Sequence, residues 1–578
     1  MSYRERAKSE IETAQPEAVL APILRKLVED SAEALAGMPP DAREAAARAR
    51  AASVADLEGL HARLREAFER RGIHYHRAAT ASEAVGIVQH LLRRARRVAK
   101  SKSMVAEEIG LTRALRQRGI DVLETDIGEY IVDLEGRGPS HITAPALHLN
   151  RTRIRELLAR AGHDATDDDP QRLSRLVRDT VARFFEECDA AITGANAVIA
   201  SSGRVVIVEN EGNVALGVSH PQLHIVVTGL EKVVPDEAAA LAVLQVLAPS
   251  ATAQPLTAFT HFVADPLPGQ QRHVVFVDNG RSAIAADPRY RDLLRCIRCG
   301  ACMNACPVYR VAGGLSYGSV YMGPVGAVLS PLLWRDGRYA DLPFASSLCG
   351  RCTEVCPVGI PLHRMLLELR ADAAQAEHTP AVERLAWRAW AAAFGRGRGR
   401  TAIAAGRWLW RAARLLRRPR PGDPRTLPPL GPIHTPASLA PAGPAGEPPP
   451  PPPPLRRPEP LLVTFRERAA TLGAEVTDAY TPEPGDRTVE AAAAVAATGS
   501  VLLTAEAADR RGLLRADRVV VLVDADRVVP YPADLEPFLG DGEALILTGA
   551  SRTADIEKQI VRGIHGSERL TIVLRGAG

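Results

Sequence analysis

Aromatic residues are scarce in this 578-residue chain, where phenylalanine, tryptophan and tyrosine together make up 4 %. Few rings are therefore on offer for stacking single-stranded nucleic acid. Excess charge is lacking too: the net charge of +4 is small for the length, so nothing points to a nucleic-acid partner. No run of about 18 uncharged apolar residues occurs, and no membrane-spanning helix is expected. The charges of the segment Met1 to Glu10 have no apolar stretch behind them, which argues against a secretory signal and for a cytoplasmic protein. No G-x-G-x-x-G follows a strand-like run, so neither a flavin nor a nicotinamide site is expected, and a self-sufficient dehydrogenase is improbable. Cysteine is nearly absent except in one place. Seven of the eight lie between Cys296 and Cys356, a clustering that signals metal rather than disulfides. The eighth, Cys188 in Phe-Phe-Glu-Glu-Cys-Asp, reads as a structural thiol.

Ordinary proportions of apolar (46 %) and charged (24 %) residues fit soluble globular domains. Residues 1–70 read as helices broken at Met38-Pro39-Pro40. From 71 to 287, helical stretches alternate with short β-branched runs such as Val205–Val208, Ile225–Val227 and Val274–Val277. That alternation predicts an α/β sheet layered by helices. A cysteine module fills 288–375, and an Arg/Trp-rich helical segment fills 376–420. A linker over 421–458 holds seven consecutive prolines, Pro448 to Pro454, which favour extended polyproline II. A second, smaller α/β domain is expected over 459–578. Cutting within 440–455 should then leave two fragments that fold separately.

The last region reads as a repeat of the first. Val198 to Gly203 leads into an apolar run, as does Val495 to Gly499. Pro235 follows Gly203 by 32 residues and Pro530 follows Gly499 by 31. Order and spacing favour duplication over chance. The reading pairs the turn Gly280-Arg281-Ser282 with Ser551-Arg552-Thr553, and takes Ser250 to Gln270 for an inserted loop.

The run Cys296-Ile-Arg-Cys299-Gly-Ala-Cys302-Met-Asn-Ala-Cys306-Pro307 has the C-x2-C-x2-C-x3-C-P spacing of bacterial ferredoxins. Three thiolates two residues apart wrap one cluster corner by corner, and the fourth turns to the other cluster. Gly300 and Ala301 let backbone N–H groups approach the sulfurs. A second run, Cys349-Gly-Arg-Cys352-Thr-Glu-Val-Cys356-Pro357, lacks the first cysteine, whose place is taken by Ser346. The crossing rule gives Cys296, Cys299, Cys302 and Cys356 to cluster 1, and Cys306, Cys349 and Cys352 to cluster 2. The open corner admits a [3Fe–4S] cluster, a Ser346 or water ligand, or a partner's ligand. Zinc also takes four cysteines, but usually from separated C-x2-C pairs. The 42 residues between Cys306 and Cys349 read as an insertion, either a docking surface or a packed loop.

Further motifs occur in a fixed order: Lys102-Ser-Met-Val-Ala-Glu-Glu-Ile-Gly, Glu124-Thr-Asp-Ile-Gly-Glu-Tyr, Pro139-Ser-His-Ile, Val208-Glu-Asn-Glu-Gly-Asn and Asp278-Asn-Gly-Arg-Ser. With the cysteine run they resemble the lactate utilization protein B family, over about residues 1–380. Gly549-Ala-Ser-Arg-Thr-Ala-Asp-Ile-Glu and Gly563-Ile-His-Gly are similar to the lactate utilization protein C family, fused here to the B-like part. The resemblance implies LUD domains with an isomerase/CoA-transferase-like α/β fold and two iron–sulfur clusters, the second with a missing cysteine. It also implies a role as electron-transfer subunit in oxidation of L-lactate to pyruvate, with a cysteine-rich A-type subunit and a C-type subunit as partners. The electron acceptor is not implied. Alternatives are another 2-hydroxyacid such as glycolate, or isomerase or acyl-transfer chemistry in the LUD domain with structural or sensory clusters. An anion pocket lined by Arg or Lys beside a carboxylate base would favour the last.

No catalytic residue stands out. Lys100, Lys102 and Ser103, with Glu107 and Glu108, are a weak anion-site candidate. Glu124, Asp126 and Glu129 suit helix capping better than acid–base work. Ser551-Arg552-Thr553, with Asp555 and Glu557, reads as a capped helix start. Eleven arginines interleaved with Trp387, Trp390, Trp408 and Trp410 over 384–420, without an acid, suit peripheral contact with an anionic membrane, an interaction helix for a protein partner, or packing on the cysteine module.

Overall fold

The computed structural model describes residues 1–375, 381–394, 461–557 and 559–576. Residues 1–369 and 457–578 form one compact unit and 370–456 another. In the second unit, Ala381–Phe394 is a helix. The rest of the Arg/Trp-rich segment and the proline linker lie outside the described residues. Among the described residues no helix is long and apolar enough to cross a membrane.

The chain is built from strands between helices, as the β-branched runs predict. Ten strands come first: β1 (Ile73–Ala78), β2 (Arg97–Lys100), β3 (Asp121–Glu124), β4 (Ala190–Thr193), β5 (Ala197–Ile199), β6 (Val205–Glu209), β7 (Leu223–Gly229), β8 (Val233–Val234), β9 (Phe259–Val263) and β10 (Gln271–Val277). After the linker come β11 (Ala474–Thr477), β12 (Asp486–Glu490), β13 (Ala493–Val495), β14 (Ser500–Thr504), β15 (Arg518–Asp524), β16 (Val528–Val529), β17 (Ala544–Leu547), β18 (Arg552–Thr553), β19 (Val561–Arg562) and β20 (Arg569–Arg575).

Two parallel sheets carry the two copies of the repeat. The first has the order β1-β10-β7-β4-β2-β3 and the second β11-β20-β15-β12. Each opens with a helix, Leu57–Arg71 or Leu461–Thr471, that ends just before a left-handed glycine, Gly72 or Gly473, and turns into the first strand. Strands β4 and β7 are buried on both faces, which is why Ala190–Ile192 and Ile225–Val227 run apolar without alternation.

The third sheet joins the copies. Its order is β16-β13-β14-β17-β9-β6-β5-β8, with the two halves meeting at the antiparallel ladder between β17 and β9. The halves match in detail. Ala200 N–H donates to Val234 O and Ser201 N–H to Pro235 O; Ala496 N–H donates to Val529 O and Ala497 N–H to Pro530 O. Gly203 and Gly499 turn the two hairpins at φ 72° and 64°. A Cβ on Gly203 would lie 3.2 Å from the Ala67 backbone, and one on Gly499 would lie 2.4 Å from Ala469 N, each in its copy's opening helix. Only glycine meets both the backbone angle and the contact.

Three expectations are corrected here. The region 459–578 is not separate, because β17 continues the sheet of β9. Ser250 to Gln270 is not an inserted loop: Ser250 to Thr252 end the helix Glu237–Thr252, and β9 is a central strand. The turn after β10 does not match Ser551-Arg552-Thr553. The counterpart of β10 is β20, whereas residues 551–553 follow β17, the counterpart of β9.

Leu502 and Ile546 of the second copy share one core with Phe262, with Leu244 of the Glu237–Thr252 helix and with Met303 and Tyr321 of the cysteine module. Each fully buried side chain of this size contributes about 1.5–3 kcal/mol. Chain cleavage at a protease site engineered within 440–455 should therefore leave two pieces that co-elute in gel filtration, with residues 457–578 insoluble when expressed alone. Separate elution of two folded pieces would contradict the shared sheet.

Candidate metal centre and adjoining cavity

The two cysteine runs fold into the same loop. In the first, Arg298 and Gly300 flank Cys299 with φ 63° and 80°; in the second, Leu348 and Gly350 flank Cys349 with φ 58° and 83°. Each loop enters a one-turn helix, Ala301–Asn304 or Arg351–Glu354, which carries the next cysteine. Backbone N–H groups point at sulfur: Tyr309 N lies 3.5 Å from Cys306 Sγ and Ile360 N 3.4 Å from Cys356 Sγ. Ser346 stands where Cys296 stands in the first run, and its Oγ accepts the Leu348 N–H at 3.1 Å.

Cys299, Cys302, Cys306, Cys352 and Cys356 are buried, Cys296 is half-buried and Cys349 is exposed. Burial pushes the Cys352 thiol up to about 11 and raises Cys299, Cys302, Cys306 and Cys356 as well. Such sulfurs ionise only beside strong positive charge, which bound iron supplies. Their electrostatic neighbours fall into two sets. Cys356 interacts with Cys296 and Cys299, and Cys302 with all three; Cys306 and Cys352 interact with Cys349 and with one another. The donor set thus fits thiolate-held clusters.

A buried ion network fastens the first loop to the α/β unit. Arg298, between Cys296 and Cys299, donates to Glu231 at 3.2 Å, and Arg281 donates to the same carboxylate at 2.6 Å. Arg281 also grips Glu108 with two bonds of 2.8 and 2.7 Å, and Tyr321 OH, from the insertion between the runs, donates to Glu108 at 2.6 Å. Arg50 of an N-terminal helix donates to the Glu231 and Leu294 carbonyls. Gly229 leaves the room this needs, since a Cβ there would lie 2.1 Å from Glu231 Oε2. Burial pushes the Glu231 carboxyl up, but Arg281, Arg298 and Lys232 outweigh it and hold the group at about 2.

Beside the first loop lies a cavity of about 1190 Å³, walled in part by Ile297 and Arg298. Lys102, Ser103 and Asp126 enter it from the ends of β2 and β3, and Arg552, Thr553 and Asp555 from the second copy. Asp126 caps the helix Ile127–Glu135, as expected, through the Glu129 N–H at 3.1 Å. Asp126, Glu211 and Asp555 bring carboxylate oxygens within 4.8 Å of one another. Burial and the charge of Asp555 push Asp126 up to about 7, and burial with Asp126 and Asp555 raises Glu211 well above the usual range. The remaining anion-site candidates divide. Lys100 is wholly buried and pairs with Glu107 at 2.9 Å and Glu124 at 2.8 Å, so these three are structural. Glu108 belongs to the ion network. Glu129 pairs with Lys102 at 3.4 Å. Residues 551–557 do not begin a helix: Arg552 and Thr553 form β18 against β19. The sequence reading missed their place in the cavity, although the motif from Gly549 to Glu557 stood out.

Replacing Glu231 by Gln should take from buried Arg298 the carboxylate it donates to, and from Arg281 one of the two it grips. We expect Glu231→Gln to lower stability by about 3–5 kcal/mol, seen as a lower urea midpoint for the cluster-loaded protein at pH 7. An unchanged midpoint would show that the network does not hold the loop.

A family model described as LUD domain matches residues 61–278 and 489–574, more than half the chain. A second, described as 4Fe-4S dicluster domain, matches residues 292–360. Lactate utilization protein B of Bacillus cereus (strain B4264) is 42 % identical over 353 residues, covering 60 % of this chain and 74 % of the relative. The proteins of the same name from Bacillus thuringiensis (strain Al Hakam) and Bacillus anthracis (strain CDC 684 / NRRL 3495) match with the same identity and coverage. A crystal structure of a DUF162 family protein from Deinococcus radiodurans, 17 % identical, covers 39 % of this chain and 98 % of its own, with a TM-score of 0.22 that is too low to bear on the fold. With LUD matches on both sides of the linker and a dicluster match between them, the chain belongs to the LUD domain family, among the relatives of lactate utilization protein B.

Proposed function

We propose that this chain is the iron–sulfur electron-transfer subunit of a system that oxidises L-lactate to pyruvate. The observation that carries the reading is a dicluster cysteine module whose first loop walls a cavity of the LUD unit, in a relative of lactate utilization protein B. In this reading Cys296, Cys299, Cys302 and Cys356 hold the first cluster. Cys306, Cys349 and Cys352 hold the second, a [4Fe–4S] or [3Fe–4S] cluster whose open corner is filled by Ser346, water or a partner's ligand. Bound clusters supply one-electron carriers with potentials tunable over about −700 to +450 mV.

The residues of the chain set the path. Arg298 and Ile297 keep the first loop against the cavity, while exposed Cys349 brings the second set to the surface. Lactate oxidation releases two electrons and two protons, so a further acceptor is needed. A cysteine-rich A-type subunit, with a C-type subunit, is the proposed partner. A cytoplasmic location, with peripheral membrane contact through 384–420, completes the reading.

One observation favours a second reading. Lys102 and Arg552 line the same cavity as the Asp126, Glu211 and Asp555 carboxyls, a mixture of cations and carboxyls of the kind non-redox chemistry in the LUD domain would need. Genetics separates the two. Deleting the gene should abolish growth on L-lactate as sole carbon source, with rescue by the wild-type chain and not by Cys302→Ala. Undiminished growth of the deletion strain would contradict the lactate role, and rescue by a Cys302→Ala protein that lacks the first cluster would favour the second reading.

A further inference from the structure

The two cysteine loops share a backbone but not a charge. Arg298 in the first and Leu348 in the second stand at the same left-handed position, just before Cys299 and Cys349, with φ 63° and 58°. Leucine takes that conformation as arginine does, so the fold of the loop does not call for a guanidinium.

The surroundings of Arg298 are unlike those of an ordinary loop arginine. Its side chain is 9 % exposed. Nη2 donates to Glu231, the guanidinium lies 5.1 Å from the centre of the Tyr321 ring, and Nη1 is buried without a hydrogen-bond partner. Burial pulls the group down, but Cys296, Tyr321 and Glu231 outweigh it and hold it above its usual range. Cys296 acts most strongly of the three.

Two more buried cations are electrostatic neighbours of both Arg298 and Cys296: Arg50, 3 % exposed, and Lys232, 6 % exposed. Arg50 reaches the chain just before Cys296, donating to the Leu294 carbonyl at 2.9 Å and to the Arg295 carbonyl at 3.3 Å. Burial pulls Arg50 down to about 10 and Lys232 to about 8, so both stay charged at pH 7. Counted with Arg281, four cations meet two carboxylates, Glu231 and Glu108, and two positive charges are left uncancelled. The second loop has no such set. Leu348 is apolar, and Arg351, between Cys349 and Cys352, is 53 % exposed and pairs with Glu354 at 2.8 Å.

A cluster that gains an electron gains negative charge. Buried cations beside it stabilise the reduced state, and salt screens them far less than it screens surface charges. We propose that Arg298, with Arg50 and Lys232, raises the reduction potential of the cluster held by Cys296 and Cys299, and so makes the redox centre beside the cavity the better electron acceptor. This inference rests on the iron–sulfur part of the proposed function and not on the identity of the substrate. Arg298 acts here through its charge on the cluster, apart from its part in locking the loop.

Redox titration of the cluster-loaded full chain, followed by electron paramagnetic resonance on the signal that Cys299→Ser removes, tests it. We expect Arg298→Leu, which copies the second loop, to lower the midpoint by at least about 59 mV, a tenfold loss in the one-electron reduction constant. Arg298→Lys should stay within about threefold of the wild type, because it keeps the charge. Glu231→Gln removes negative charge and should shift the midpoint upward, a reversal of sign that mere loosening of the loop does not produce. If Arg298→Leu loses iron, Lys232→Gln carries the test, with a downward shift expected. A midpoint unmoved by the neutral variant, an equal fall in Arg298→Lys, or a fall in Glu231→Gln would overturn the inference while leaving the cluster reading intact. A wild-type chain that binds no iron would overturn the cluster reading, and this inference with it.

Discussion

A single buried carboxylate, Glu231, joins the two halves of this protein's chemistry. It sits just after β7 and accepts from Arg281 of the α/β unit and from Arg298 of the first cysteine loop. Neither arginine has water to fall back on, with side chains 1 % and 9 % exposed. A buried pair of this kind adds little stability over an apolar contact of the same shape, but losing one member strands a charge. The network therefore acts as a positional lock. Tyr321 extends the lock through Glu108 to the insertion between the cysteine runs, and Arg50 extends it to the N-terminal helices.

The second constraint is the shared sheet. Neither half of the repeat closes its own antiparallel layer, because the β9 and β17 edges are satisfied only by one another. An unpaired apolar edge is a site of aggregation, so both copies must stay with the chain. Fusion supplies the second copy at high local concentration. Among the described residues the parallel sheet of the second copy has no equivalent of β2 or β3, and Arg552 to Asp555 with Ile560 and Arg562 reach the cavity of the first.

Much of this was legible in the sequence because it is local. Cluster-binding spacing is written into consecutive residues, and the two loops repeat backbone angles that the Cys-Gly pairs at Cys299-Gly300 and Cys349-Gly350 require. The hairpin, glycine and closing proline of each repeat were legible for the same reason. Pairing between β9 and β17, more than 280 residues apart, left no local trace, so β9 passed for part of an inserted loop and residues 459–578 for a separate domain. Arg552 was also illegible: a lone arginine looks solvated until tertiary structure buries it. Lys100 and Lys102 are two residues apart and equally plausible in sequence, yet Lys100 ends β2 inside a closed ion cluster while Lys102 lies beyond the strand end and lines the cavity.

The account thus has electrons crossing from a cavity in the LUD unit through a first cluster locked to Glu231 and out through a second cluster at the surface. Its central claim is the crossed division of seven cysteines between two clusters. Electron paramagnetic resonance of the protein, recorded both as isolated and after dithionite reduction, tests that division most directly, with Cys299→Ser and Cys352→Ser compared against the wild type. The account predicts that each substitution removes or alters a different one of two signals and spares the other. Equal loss of both signals from either substitution, or a wild-type protein holding zinc and no acid-labile sulfide, would contradict it.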